Sequence, residues 1–209
     1  MYGFVDVPVA KVIDSLCTGL NPRQNFKLNV LGAKCNYVTG KEIYDNSINI
    51  TERTDKITDE VVKLINKRSK LSDNTLLFAS TGCSTVGRMA IVDKYDGTWN
   101  VSETMYCIKV NQMINLRYLM YYLYSQSAID QYEPLISKGT VPHLRVDDLL
   151  NIMIQLPSLE EQSRIVSIID KFDKYCNDIT EGLPAEIKYR QQQYEYYRDK
   201  LLTFRRLGE

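Results

Sequence analysis

His143 is the only histidine in the chain, and that alone removes most catalytic schemes, since Ser-His-Asp triads, Cys-His pairs and the common metal sites all need imidazole. The five cysteines, Cys17, Cys35, Cys83, Cys107 and Cys176, are odd in number, scattered and never in a CxxC pair. They read as reduced thiols rather than a disulfide framework or a zinc site. The loop Ser80 to Arg88 (STGCSTVGR) has the glycine spacing of a P-loop, with Gly82 and Gly87 at the right separation. A P-loop then requires Lys and Ser or Thr on the opening turn of a helix, to reach phosphates and Mg²⁺. Arg88 and Met89 stand there instead and the strand-like MAIV follows, so nucleotide binding is not expected.

A second near-match fails in the same way. Asn21-Pro22-Arg23 comes close to the Asn-Pro-Pro-aromatic motif of adenine-N6 methyltransferases, but Arg23 replaces the second proline and no glycine-rich cofactor strand precedes it. Neither an enzyme activity nor a cofactor is therefore expected. The net charge is zero and evenly divided along the chain, so contact with nucleic acid would have to come from a local patch or a partner subunit. No apolar run reaches membrane-spanning length and the first residues lack the order of a signal peptide, so a cytoplasmic location is expected.

The elements that must position any such site follow from periodicity and punctuation. Val7 to Leu16 reads as a strand or turn passing into a short element, and Thr18 to Lys27 as a loop. Cys35 to Val38 and Ser47 to Ile50 are β-rich. Thr58 to Asn66 has helical spacing, and its basic end (Lys63, Lys67, Arg68, Lys70) suits a solvated helix C-terminus, with a phosphate contact as the weaker alternative. Thr75 to Ala79 and Met89 to Val92 are two buried strands flanking the glycine loop, and Trp99 to Val110 is a further strand. Leu116 to Gln131 is a helix whose tyrosines, Tyr118, Tyr121, Tyr122 and Tyr124, belong at a core edge rather than under stacked bases. Ser137 to Leu144 is a loop, followed by a helix turn and the strand Ile152 to Leu156.

From Leu156 onward the apolar residues form a stripe: Ile165, Ile168, Ile169, Phe172, Tyr175, Cys176 and Ile179, then Ile187, Gln191, Tyr194, Tyr197, Leu201 and Phe204. Pro157, a candidate N-cap at Ser158, and Glu160 and Glu161 in the first turn mark the helix start; Glu161 is placed for a capping box. Gly182 and Pro184 interrupt the pattern, by a kink or by a break. A kinked helix would make a rod on the order of 70 Å; a break would shorten it. The stripe either folds back on its own domain or is a seam that needs a partner helix.

The run LPSLEEQSRIVSIIDKFDKYCNDITEGLPAEIKYRQQQYEYYRDKLLTF resembles the conserved helical region of the specificity subunits of type I restriction-modification systems. LNPRQNFKLN, YVTGKEI, LLFASTGCSTVGRMAIVD and SKGTVPHLRVDDLLNIMIQLPSLEEQ extend the resemblance over nearly the whole chain. It implies an α+β fold: a mixed α/β target recognition domain over residues 1–155, then a helical coiled-coil spacer and dimerisation region over 156–209. Family members usually carry two of each, so this chain resembles a half-sized subunit that would pair with a second copy of itself.

The implied function is reading one half of a bipartite double-stranded DNA target while docking a type I methyltransferase subunit and, where present, a restriction and motor subunit. Base reading would then fall to loop side chains, with Arg suited to guanine, Asn or Gln to adenine, and Lys to phosphates. The candidates are Arg23, Gln24, Asn25, Lys27, Thr81, Ser84, Thr85, Arg88, Lys138, Thr140 and His143. A coiled-coil adaptor that binds protein rather than DNA is the alternative.

Overall fold

The computed structural model describes residues 3–178 and 184–203, and side chains except those of 174–178 and 184–187. In chain order the strands are β1 (Val5–Pro8), β2 (Ile13–Thr18), β3 (Cys35–Val38), β4 (Ile43–Tyr44), β5 (Ser47–Ile48), β6 (Lys56–Ile57), β7 (Thr75–Ala79), β8 (Met89–Val92), β9 (Trp99–Val101), β10 (Met105–Val110) and β11 (Met153–Leu156). The helices are α1 (Pro22–Asn25), α2 (Asp59–Ser69), α3 (Leu116–Leu123), α4 (Gln126–Tyr132), α5 (Val146–Leu150), α6 (Leu159–Asp178) and α7 (Pro184–Leu201). Packing divides the chain into two units that interleave along it: Met1–Val12, Gln112–Glu133 and Leu150–Glu209 form one, Ile13–Asn111 and Pro134–Leu149 the other. No helix among the described residues is long and apolar enough to cross a membrane.

The second unit is built on a four-stranded antiparallel sheet in the order β2-β10-β7-β8 and a three-stranded sheet in the order β6-β3-β9, in which β3 and β9 run parallel. Strands β7 and β8 read as continuous apolar runs because both faces are covered: all five residues of β7 are buried. Leu77, Ala79, Ala90, Val101, Met105 and Cys107 share one core cluster, and Tyr37, Ile57, Val62 and Ile65 a second under α2.

Trp99 to Val110 is two strands in different sheets, not one. Ser102 lies at the corner: its amide donates to the Val38 carbonyl at 2.9 Å and its hydroxyl sits 2.5 Å from that of Thr104. These local hydroxyl bonds compete with a continuous ladder and turn the chain between sheets. The segment expected as a loop, Thr18 to Lys27, contains α1, a single turn with proline at its first position. The Asn21 side chain caps it, accepting from the Arg23 amide at 2.9 Å.

In the first unit β1 pairs antiparallel with β11. The helix expected over Leu116 to Gln131 is divided into α3 and α4 at Ser125, which is buried and donates its hydroxyl to the Tyr122 carbonyl at 2.6 Å. Tyr118, Tyr121 and Tyr122 are buried, as the core-edge reading requires; the Tyr118 hydroxyl donates to the Gln155 carbonyl at 2.7 Å.

Only one half of the expected capping box forms at the start of α6. The Glu161 amide donates to Ser158 Oγ at 3.3 Å, while the Glu161 carboxylate turns to Arg164, at 2.6 and 2.8 Å. Gln162, fully buried, instead ties down the helix start: its side chain donates to the Pro157 and Met113 carbonyls and accepts from the Asn115 amide.

The apolar stripe divides here. Helix α3 packs along α6, Tyr121 donates to Asp170, and Ile165 and Ile169 are 0% and 1% exposed within the chain itself. That half of the stripe folds back on its own unit. Phe172 and Tyr197 stack with ring centroids 6.1 Å apart and remain 36% and 39% exposed. In one straight helix these residues would stand about 38 Å apart, so α6 and α7 lie alongside each other rather than forming a single rod. Ile168, Tyr194 and Leu201 are partly buried. Ile179, Gly182 and Phe204, and the side chains of Tyr175, Cys176 and Ile187, lie outside the described residues.

Candidate nucleic-acid interface

Loop Ser80 to Arg88 closes on the strands that flank it: the Ala79 amide donates to the Arg88 carbonyl at 2.8 Å and the Gly87 amide to the Ala79 carbonyl at 2.9 Å. Gly82 makes the sharp step, with φ at +120°, a conformation that residues with a Cβ rarely adopt. The loop Ser137 to Leu144 is laced to it across the fold. Gly82 donates to the Pro142 carbonyl and Leu144 to the Ser80 carbonyl, each at 2.9 Å, and Thr81 and His143 form a bridge. Two loops from distant parts of the sequence thus act as one element.

Beside them lies a cleft of about 710 Å³, whose walls come from six stretches of the second unit. Arg23 on α1, Lys41 in the turn after β3, Arg53 before β6, and Thr81, Cys83, Ser84 and Thr85 all face it. Four sequence-derived candidates, Arg23, Thr81, Ser84 and Thr85, are therefore brought together.

The others are not in its lining. Arg88 spends its guanidinium on the Ile43 carbonyl at 3.1 Å, and the Asn25 amide turns back to the Asn21 carbonyl at 2.8 Å. Gln24, Lys27, Lys138 and Thr140 are exposed outside the cleft. His143 supports it from behind, with Nδ1 2.8 Å from Thr81 Oγ1 and its ring edge-on to Tyr106.

Lys41 and Arg53 were missed by sequence reasoning: each is a lone cation in a polar turn, and only the fold places them opposite the glycine loop. The quoted YVTGKEI contains Lys41 but offers no chemical signal that singles it out.

Three acids share the cleft with these cations, and each is already engaged. Glu42 accepts from the amide and hydroxyl of Thr39, both at 2.8 Å. Asp55 accepts from the Asn29 amide group at 2.7 Å. Glu103 lies 3.1 Å from the Tyr37 hydroxyl, which is also 2.7 Å from the Leu20 carbonyl. Burial, and then the negative charge of Glu103, push the Tyr37 phenol well above its ordinary range, so it stays protonated. These bonds fix where the carboxylates point without removing their charge, and Thr81 shares its hydroxyl with His143 while Thr85 donates to the Thr81 carbonyl, so Arg23, Lys41, Arg53 and Ser84 are the groups suited to an anionic ligand. Among the described residues no group of His, Cys, Asp and Glu is placed to hold a metal ion.

Comparison with known proteins agrees with this architecture. Residues 18–189 match the family described as the type I restriction modification DNA specificity domain. A type I restriction enzyme specificity subunit of Escherichia coli is 32% identical over 171 residues, 79% of this chain and 39% of the relative. A putative type I specificity subunit of Haemophilus influenzae is 36% identical over 129 residues, 62% of this chain and 32% of the relative. The chain thus spans well under half the length of these curated relatives.

Among solved structures, the HsdS subunit of Thermoanaerobacter tengcongensis superposes with a TM-score of 0.58 at 19% identity, covering 85% of this chain and 44% of that one. The S subunit of a Mycoplasma genitalium type I restriction-modification system gives 0.57 at 18% identity, covering 86% and 41%. The mixed α/β fold is shared with both, and the match over most of the sequence shows that the chain belongs to the family of type I restriction-modification specificity subunits, the non-catalytic members of their systems.

Proposed function

We propose that this chain reads one half of a bipartite double-stranded DNA target and docks a type I methyltransferase subunit and, where the system has one, a restriction and motor subunit. In this reading residues 1–155 are the target recognition domain, and 156–209 form the coiled-coil spacer through which a second copy associates. A cytoplasmic location, with the DNA, belongs to the same reading. The observation that carries it is the cleft in which Arg23, Lys41 and Arg53 share a lining with the glycine loop, while the accompanying Glu42, Asp55 and Glu103 are oriented by bonds to their own surroundings. Family membership weighs against the protein-binding adaptor.

Affinity for random duplex DNA is expected to fall as salt rises, with a slope of log K against log salt near −0.9 for each phosphate neutralised. Replacing Arg23 and Arg53 together by Ala should flatten that slope by roughly one to two units. Binding isotherms between low and physiological salt, with and without the methyltransferase subunit, check this; an unchanged slope would place the phosphate contacts elsewhere. Alone, the chain should neither transfer methyl groups from S-adenosylmethionine nor hydrolyse ATP. Activity abolished by substitutions at Asn21 or Gly82 would overturn that expectation.

A further inference from the structure

The cleft contains two kinds of polar side chain, and the geometry separates them. Thr85 is half-buried, and its hydroxyl donates to the Thr81 carbonyl at 2.7 Å. A Cβ built on Gly82 would come within 2.2 Å of Thr85 Oγ1, so the glycine step is packed directly on that hydroxyl. From the other side, a Cβ on Gly40 would meet Thr85 Cβ at 2.9 Å and Ala79 Cβ at 3.1 Å. One side chain is thus held between two loops that are remote in sequence. A threonine suits that place, because branching at Cβ restricts its rotamer.

Each loop is also closed on its own account. The Thr39 to Glu42 turn is locked by the two bonds from Thr39 to the Glu42 carboxylate and by the Glu42 amide donating to the Thr39 carbonyl at 3.1 Å. On the glycine loop the Arg88 amide donates to the Thr85 carbonyl at 3.0 Å. At the outer ends of these two closed turns, Lys41 and Ser84 are exposed and line the cleft.

We infer that Thr85 is a positioning residue that sets Ser84 and Lys41 at a fixed separation as two specificity-determining contacts to the DNA target. The inference rests on the DNA-reading function proposed above and adds which cleft residues read and which hold. Ser84 has a hydroxyl suited to a base edge, and Lys41 an ammonium suited to the O6 and N7 acceptors of guanine. Thr85 does not touch DNA.

The test uses the chain assembled with its methyltransferase subunit and reads three quantities: thermal midpoint, affinity for its own site against single-base variants of that site, and the motif methylated in cells. Ser84→Ala and Lys41→Ala should each relax discrimination at one base position, about tenfold, with the midpoint unchanged. Thr85→Val keeps the branched shape and removes the hydroxyl, and should relax both of those positions together. Should Thr85→Val fail to fold, Gly40→Ala, which crowds the same contact, is expected to relax the Lys41 position.

The inference is overturned if Ser84→Ala and Lys41→Ala leave the motif intact while the parent complex discriminates. It is also overturned if Thr85→Val relaxes a third position of its own, which would make it a reader, or if the hydroxyl loss changes only the midpoint. A parent complex that does not discriminate between duplexes at all would instead sink the underlying proposal of DNA reading.

Discussion

Ile165→Asp is expected to destabilise the unit that carries it strongly, whereas Phe172→Asp is expected to leave that unit's stability intact and weaken only the association between copies. Ile165 is completely buried within one chain, on α6, the helix that α3 packs along. Removing its side chain forfeits the buried apolar contact and leaves a cavity, and the introduced carboxylate has no partner there. The combined cost is about 4 kcal/mol or more, which for a chain of this size corresponds to a drop in thermal midpoint of more than about 8 °C.

Phe172 is 36% exposed and stacks on an equally accessible Tyr197, so a charge there stays solvated in the single chain. In the proposed pairing of two copies the same charge would be buried, at a cost that shifts the equilibrium toward monomer. Thermal melts and light scattering on the two variants separate the cases. A Phe172→Asp chain whose mass in solution equals that of the parent would locate the pairing surface elsewhere, and an Ile165→Asp chain with an unchanged midpoint would contradict the packing of α3 on α6.

This division of the stripe also shows what was legible in the sequence. Residues three and four apart reveal that a helix has an apolar face, and Ile165, Ile169, Phe172 and Tyr197 all satisfy that pattern. Periodicity says nothing of what covers the face, which depends on α3 arriving from elsewhere in the chain. Strands β7 and β8 were legible because continuous apolar runs bounded by a glycine loop leave few alternatives. The interruptions at Ser102 and Ser125 were not, because each depends on a single hydroxyl choosing a backbone partner that only the folded chain supplies.

For the cleft, the DNA reading implied by the family resemblance, joined to the side-chain chemistry of the loops, picked out Arg23, Thr81, Ser84 and Thr85. Lys41 and Arg53 carry no such local mark. The same chemistry could not distinguish a reader from a scaffold: Arg88 and Asn25 have side chains suited to bases, yet one holds the Ile43 carbonyl and the other its own helix turn.

The DNA site recognised when this is the only specificity chain present is expected to be an inverted repeat with an unread spacer. A pair of identical chains related by a two-fold axis presents the same cleft twice, in opposite orientation, so the two half-sites must be the same sequence read on opposite strands. In the proposed reading, each half-site would be met by the side chains of one cleft. In the proposed pairing the bases between them would face the helical spacer and go unread, so the length of the gap should matter and its sequence should not. Changing α6 and α7 equally in both copies should alter the preferred gap and leave the half-sites intact, while Ser84→Ala should relax the same base in both halves and leave the gap unchanged. Methylome sequencing of cells that express the chain with its methyltransferase subunit reads the modified motif directly. An asymmetric motif from that experiment would rule out the symmetric pair, and a symmetric motif in which Ser84→Ala relaxes one half alone would be incompatible with two equivalent clefts.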